Sequence, residues 1–218
     1  MNRSWGMIVC KIGPATEPRG TTARSACLVW RFWSDALLKD MQSALDGKAT
    51  SLLAALWYPM GDIHTKVRYA YMDALTRLWR ASFSEQLGKW CEAHGVEYIG
   101  HIIEDMNAHA RMAYSAGHYF RALDGQHMAG IDVVLHQIVP GMAACPHTAS
   151  IEGGIADPAF FDNVLAKLAA SHAHIQPHMK GRAMCEVFGA YGWAEGAPMM
   201  KGLLDHMLVR GINTFVPH

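Results

Sequence analysis

Two glutamates stand where carboxylates could do chemistry. Glu104 follows the apolar run over residues 96–103, and Glu186 lies inside a second apolar run, Met184 to Phe188, that leads into a glycine- and aromatic-rich loop. Cleavage of a glycosidic bond requires paired carboxylates across a cleft, because one protonates the leaving oxygen while the other attacks the sugar or activates water. The alternative is that one or both glutamates simply bond to loop N–H groups or to Arg182.

Histidines near the same strand ends add further possible chemistry. His101 precedes Glu104, and His136 follows the apolar run that contains Asp132. These imidazoles could bind substrate hydroxyls, ligate a metal, or be hydrogen-bonded polar residues of the interior. The segment His172 to His178 also suggests a metal, but its first two histidines fall at a predicted helix end, where side chains two residues apart diverge.

Four aromatic residues lie in predicted loops or strand ends, where their faces could stack on sugar rings. Aromatic side chains are equally ordinary core material. For Trp57 and Tyr58 a strand or a buried loop is possible, and the core interpretation is favoured for Trp57. For Trp193 the stacking role is favoured, because glycines on both sides of Tyr191 leave its loop open.

Composition excludes several classes of function. The 218 residues are 51% apolar, 17% charged and formally neutral, which is typical of a soluble globular protein. The absence of a basic block argues against a nucleic-acid partner, and no apolar run approaches the roughly 20 residues that a membrane span requires. Five widely spaced cysteines without a C-x-x-C motif predict reduced thiols and a cytoplasmic protein, or a periplasmic or secreted one if a signal peptide has been lost. There is no G-x-S-x-G elbow and no phosphate loop.

The elements that must position these residues alternate between strand and helix. The longest helical pattern runs from Val67 to His94, and from residue 96 onward four apolar runs alternate with helical patterns. This alternation predicts a parallel sheet, most simply a (β/α)₈ barrel of the TIM type, with the functional loops at the carboxyl ends of the strands. The predicted strands cover residues 96–103, 131–135, the run around Glu186, and 212–216; the predicted helices between them cover 112–128, 159–173 and 197–210.

The length does not suit a complete barrel. Eight strands and their helices typically take ~250 residues, whereas this chain has 218 residues and four clear strand patterns. It also stops at Pro217-His218, directly after a predicted strand. We therefore expect an incomplete parallel α/β barrel over residues 35–218, truncated at both ends, after a poorly patterned segment over residues 1–34.

Four motifs then carry a resemblance to a known family. They are VEYIGHIIED (residues 96–105), GIDVVLH (130–136), CEVFGAYGW (185–193) and LVRGINTFVPH (208–218). In this order, and over about residues 51–218, the chain resembles the catalytic barrel of the α-L-rhamnosidase-like glycoside hydrolases. The resemblance implies an enzyme that acts on a carbohydrate substrate, with further barrel strands and accessory β-sandwich domains in a longer chain. Some relatives use calcium near the site.

By the same resemblance Glu104 and Glu186 would be the catalytic pair, with Glu104 favoured as the acid. Two alternatives stay open. The chain could be a catalytically inactive barrel fragment or a carbohydrate-binding remnant, or it could be a metal-dependent hydrolase that uses its histidines. The residues expected to bind substrate are His101, Asp105, Asp132, His136, Tyr191, Trp193, Asn213 and His218.

Overall fold

The computed structural model describes residues 6–7, 34–102, 116–141, 159–193 and 195–218. The predicted catalytic residue Glu104 and its neighbour Asp105 lie outside the described residues. So does most of the segment 1–34.

The described segment from residue 34 to residue 93 is mainly helical. Helix α1 begins after Ser34, whose Oγ accepts a hydrogen bond from the N–H of Leu37 at 3.1 Å, as an N-cap does. The predicted apolar stripe of this helix is confirmed, since Leu37 and Met41 are buried in one cluster with Tyr71 of α3. The helices of this part are α1 (Asp35–Ala44), α2 (Ala49–Leu52), α3 (Ile63–Trp79) and α4 (Glu85–Ala93), with a 3-10 turn at Leu53–Leu56 before α3 and a π-helical turn at Arg80–Ser84 before α4.

The long helical pattern predicted over Val67 to His94 is confirmed, with the π-helical turn inside it. At that turn the Ser84 hydroxyl donates a hydrogen bond to the carbonyl oxygen of Ala122, at the end of the short helix α5 (Tyr119–Ala122). A Cβ atom on Gly88 would lie 2.2 Å from the carbonyl oxygen of Gly125. The close approach explains why the helix predicted to run to Met128 ends earlier, since residues 123–126 form the turn that packs on α4.

Three parallel strands form the sheet that carries the site. They are β3 (Ala129–Val134), β4 (Ala183–Gly189) and β5 (Thr214–Pro217), in the order β3-β4-β5. Two shorter strands, β1 (Gly6–Met7) and β2 (Tyr98–Ile99), pair with each other in parallel.

The predicted barrel of the TIM type is wrong. In the described part of the chain the three-stranded sheet is open, because β3 and β5 are each paired as strands only with β4. A barrel closes only when every strand has two neighbours. Alternation of strands and helices in a sequence predicts parallel pairing, but closed and open parallel sheets share that alternation. The parallel α/β part of the prediction holds, and the barrel does not.

One face of the sheet is covered by helices. Side chains alternate across a strand, so Ile131 and Val133 of β3 and Cys185 and Val187 of β4 point to the same face. They are fully buried in one core with residues of α6 and α7. The opposite face carries Met184 and the two carboxylates described below. The remaining elements are a π-helical turn at Phe160–Leu165, α6 (Ala166–Ile175), a 3-10 turn at Pro177–Met179, and α7 (Gly196–Leu208).

A buried histidine makes this core sensitive to acid. His172 of α6 is fully buried, with its ring stacked on Phe120 at 5.4 Å between centroids. Burial, and secondly the charge of His178, lower the pKa of His172 from 6.5 to about 4. As the pH falls from 6.5 toward 4, the unfolded chain takes up a proton at this position and the folded chain does not. The contribution of the neutral imidazole to stability is therefore complete above pH 6.5 and is lost as the pH falls through that window.

We predict that His172→Phe weakens the dependence of stability on pH. The phenyl ring keeps the aromatic contact and cannot titrate. The wild type should lose roughly 3 kcal/mol in its free energy of unfolding between the pKa of His172 in the unfolded chain and its pKa in the folded chain, and the variant should not. Urea unfolding at a series of pH values measures this free energy. His174→Gln, at an exposed position two residues along α6, is the matched control. Equal pH slopes for wild type and His172→Phe would contradict the prediction.

Candidate functional site

Two carboxylates lie side by side on the face of the sheet opposite to the one that packs on α6 and α7. Asp132 of β3 and Glu186 of β4 are direct partners in the parallel register, so their side chains leave the sheet in the same direction. Both are buried, with 4% of Asp132 and 6% of Glu186 exposed. Glu186 was predicted at or just inside the carboxyl edge of its strand, and β4 continues three residues beyond it.

His101, which follows β2, completes a compact group with these carboxylates. Its Nε2 lies 3.4 Å from Oε2 of Glu186 and 3.8 Å from Oδ2 of Asp132. Its Nδ1 lies 3.3 Å from the carbonyl oxygen of Ile102. One atom from each of the three side chains lies within 4.8 Å of the others, and all three residues are buried. The sequence associated His101 with Glu104, which it precedes, and the structure sets its imidazole against Asp132 and Glu186.

A glycine in β3 makes this grouping possible. A Cβ atom on Gly130 would lie 2.1 Å from the carbonyl oxygen of Gly100, so any side chain there would push the end of β2 away. Two hydrogen bonds also keep the end of β2 close to β3. The N–H of His127 donates to the carbonyl oxygen of Tyr98 at 2.9 Å, and Nε2 of Gln126 donates to the carbonyl oxygen of Gly100 at 3.0 Å. The residue after Gly100 is His101, which is therefore carried against β3 and β4.

A second histidine reaches Glu186 from β5. Nδ1 of His218 lies 3.2 Å from Oε1 of Glu186, so each carboxylate oxygen faces one imidazole nitrogen. The backbone N–H of His218 donates to the carbonyl oxygen of Val187 at 2.9 Å. The side chain of His218 is 58% exposed, whereas the carboxylate it contacts is buried. His218 thus stands at the boundary between Glu186 and solvent.

Backbone strain concentrates at the same edge. The pairing of β3 with β4 shifts register between Val133 and Val134, which marks a β-bulge. Bulges and left-handed backbone at non-glycine residues are frequent at functional sites, because they aim side chains that a regular strand could not. Of the six non-glycine residues with positive φ in the described part, four lie here: Leu135, His136, Phe188 and Ala190.

Two predicted substrate-binding residues, Tyr191 and His136, build this edge. Tyr191 is buried, and its hydroxyl donates to the carbonyl oxygen of Ile138 at 2.8 Å and accepts the N–H of the same residue at 3.3 Å. The ring of His136 lies against Tyr191, with 4.6 Å between centroids. The loop was expected to be open, but the buried side chain of Tyr191 packs it against the protein. Trp193, two residues later, is fully exposed.

Asn213 lies at the other end of the sheet. Its Oδ1 accepts the N–H of Ala183 at 3.0 Å, and its Nδ2 donates to the carbonyl oxygen of Gly181 at 2.8 Å. These contacts join the amino ends of β4 and β5. Arg182, the other potential partner of the glutamates, also lies there and forms a bidentate ion pair with Glu97.

Of the predicted site residues, the structure brings four together: His101, Asp132, Glu186 and His218. The His172 to His178 segment stands apart, since His172 is buried in the core and Nε2 of His178 contacts the carbonyl oxygen of Gln126.

Sequence reasoning missed two glycines, Gly130 and Gly189, as residues that shape the site. The available signal was a glycine inside an apolar strand pattern, which often marks a close backbone approach.

A metal ion could use the group formed by His101, Asp132 and Glu186. Among the described residues these side chains offer one nitrogen and two carboxylate oxygens. Calcium takes six to eight oxygen ligands, so an imidazole is a poor match for the calcium that the resemblance suggested. Mixed nitrogen and oxygen ligands suit zinc, iron or manganese better.

Comparison with known proteins adds no identification. No family model, curated protein or solved structure matched the chain. Within the described segments, no helix has the length and apolar character needed to cross a bilayer.

We predict that Gly130→Ala separates His101 from the two carboxylates. The added methyl group would meet the Gly100 carbonyl at 2.1 Å, where only a backbone shift can relieve the contact. Overpacking of this kind typically costs ~1–3 kcal/mol of stability. Thermal unfolding measures that loss, and a crystal structure of the variant measures the distance from Nε2 of His101 to Oε2 of Glu186.

Gly202→Ala is the control for this prediction. Gly202 lies inside α7, where alanine is favoured over glycine by roughly 0.5–1 kcal/mol, and its nearest neighbour is a side-chain atom of Pro140 at 3.1 Å. This variant should keep or raise the stability. If Gly130→Ala changes neither the stability nor the position of His101, the close approach of Gly100 to Gly130 does not determine where His101 lies.

Proposed function

We propose that the protein is a glycoside hydrolase in which Glu186 is one of two catalytic carboxylates. The observation that carries this proposal is the environment of Glu186, a buried carboxylate with one imidazole nitrogen at 3.4 Å from Oε2 and another at 3.2 Å from Oε1. A carboxylate held in one orientation can act on a glycosidic bond as a nucleophile, a base or an acid. The sequence resemblance to the α-L-rhamnosidase-like hydrolases supports the same chemistry and suggests a carbohydrate substrate.

Asp132 is not the partner carboxylate in this proposal. The Nε2 atom of His101 lies within 3.8 Å of both Asp132 and Glu186, so the imidazole occupies the space where a glycosidic bond would have to lie. Inverting enzymes also need ~6.5–9.5 Å between their carboxyl groups, and retaining enzymes need ~5–5.5 Å. One oxygen of Asp132 lies within 4.8 Å of one of Glu186. Asp132 and His101 are better suited to bind sugar hydroxyls.

Glu104 is therefore proposed as the second catalytic carboxylate. It follows His101 by three residues in the sequence. Glu104 is also the partner carboxylate that the sequence resemblance to the α-L-rhamnosidase-like hydrolases implies. The exposed indole of Trp193 offers a stacking face for a sugar ring.

We predict that Glu186→Gln and Glu104→Gln each abolish hydrolysis without unfolding the protein. Glutamine keeps the shape of the side chain but removes its proton transfer and its negative charge, and loss of general acid or base catalysis typically costs ~10²–10⁴-fold in kcat. Release of nitrophenol from a panel of aryl α-L-rhamnosides and related aryl glycosides measures turnover, and circular dichroism checks the fold.

Asp205→Asn is the control for these variants. Asp205 is an exposed carboxylate of α7 that pairs with Lys201, and its replacement should leave kcat unchanged. Retained turnover in either glutamine variant would show that the replaced glutamate is not a catalytic carboxylate. A wild-type protein that binds glycans but hydrolyses none of the panel would favour a carbohydrate-binding remnant.

A metal-dependent hydrolase is the second candidate, because His101, Asp132 and Glu186 offer three ligand atoms within 4.8 Å of one another. It predicts about one equivalent of zinc, iron or manganese by elemental analysis of the purified protein. Asp132→Asn and His101→Gln should lose the metal, while Glu104→Gln should retain it. Activity in protein shown to be metal-free would eliminate this candidate, and loss of activity on chelation with recovery on adding the metal would favour it over the first.

A further inference from the structure

The backbone of His218 is held next to Glu186 by a hydrogen bond, whereas its imidazole ring is not held by packing. The N–H of His218 is bonded to the carbonyl oxygen of Val187, the residue after Glu186, which holds the two Cα atoms at a constant distance. The imidazole itself is 58% exposed, so packing does little to hold the ring. Nδ1 of His218 lies 3.2 Å from Oε1 of Glu186, and for the imidazole to donate to the ionised carboxylate the hydrogen has to be on Nδ1, because such an oxygen can only accept.

Gly189 provides the space for that ring. A Cβ atom on Gly189 would lie 3.0 Å from Nδ1 of His218 and 3.0 Å from Cγ2 of Val134. A methyl group here would be tighter than ordinary van der Waals contact on both sides. The ring of His218 is the more exposed of the two neighbours, so it is the group that would move. The bulge between β3 and β4 brings Gly189 opposite Val134 and so sets this gap.

We propose that His218 is a positioning residue for Glu186, and that Gly189 is the clearance its imidazole requires. This inference rests on the proposed function. A glutamate carboxylate rotates easily about its last bond, and imidazoles in contact with both of its oxygens restrict that rotation. With His218 on Oε1 and His101 beside Oε2, the carboxylate cannot turn without losing one contact. Removing His218 leaves Glu186 in place but takes away the contact on Oε1.

A positioning role differs from a structural role in what it changes. His218 is too exposed for its side chain to contribute much to stability, and substitutions of exposed residues usually change the free energy of unfolding little. Misplacement of a reacting group, by contrast, can cost up to about 10²-fold in rate. The loss should therefore appear in kcat, with KM and the unfolding midpoint nearly unchanged.

The test compares three replacements of His218 with the wild type. His218→Ala removes the donor and should lower kcat by ~10–10²-fold. In asparagine, Nδ2 is one bond from Cγ, as Nδ1 is in histidine, so His218→Asn should recover most of the loss. In glutamine the amide lies one bond further out, so His218→Gln should not recover it. Equal kcat in wild type and His218→Ala, or equal losses in the asparagine and glutamine variants, would overturn the proposal.

A double-mutant cycle tests the clearance at Gly189. Gly189→Ala should lower kcat in the wild type but have no further effect in the His218→Ala background, because the methyl group acts by displacing the ring. Additive losses would show that Gly189→Ala acts through Val134 instead and would overturn that part of the proposal. Val134→Ala, which relieves the second contact, is the control and should not rescue Gly189→Ala.

Nitrogen NMR separates failure of this inference from failure of the proposed function. The ¹⁵N shifts of His218 report which ring nitrogen carries the hydrogen, without any turnover. We expect hydrogen on Nδ1 in the wild type and its loss from Nδ1 in Gly189→Ala and in Glu186→Ala. A wild type that shows this tautomer but hydrolyses no glycoside would reject the proposed function and keep the contact. An active wild type without hydrogen on Nδ1 would reject the positioning role alone.

Discussion

Asp132 and Glu186 are direct neighbours across two parallel strands, and their side chains leave the same face of the sheet. Two carboxylates buried this close repel each other and have given up hydration, so the surrounding structure must supply hydrogen-bond donors. His101 lies between them, and His218 meets the outer oxygen of Glu186. The other features of the site bring these two imidazoles close to the carboxylates.

The position of each imidazole next to the carboxylates depends on a glycine. Gly130 lets the end of β2 approach β3 closely enough to place His101, and Gly189 leaves room for the ring of His218. Neither glycine carries chemistry, yet a methyl group at either position would meet an atom at 3.0 Å or less. The arrangement of the site therefore depends on these two glycines, which have no Cβ atom, as well as on the polar side chains. Strained backbone at Leu135, His136, Phe188 and Ala190 lies at the same edge, where the chain turns away from the sheet.

Much of the secondary structure was predictable from the sequence, because it follows local periodicity. The stripe of α1, the long helix of α3 and α4, and the apolar runs of β3 and β4 all appear where the pattern placed them. The barrel was not predictable in this way. Closure depends on how many strands pair and with which neighbours, and the described sheet is open with β4 at its centre. The helix predicted to run to Met128 failed for a related reason, since the turn after Ala122 is set by its contact with α4.

For the site, the sequence by itself determined which chemical groups were available: Glu186 in an apolar strand, Asp132 in another, and histidines near the strand ends. It did not determine which of them meet. Only the tertiary structure placed His101 and His218 on opposite oxygens of Glu186, turned Tyr191 into a structural residue, and put Asn213 at the far end of the sheet. The physical reason is that residue type and local spacing fix an element and its faces, whereas strand register and close backbone approach join residues distant in sequence.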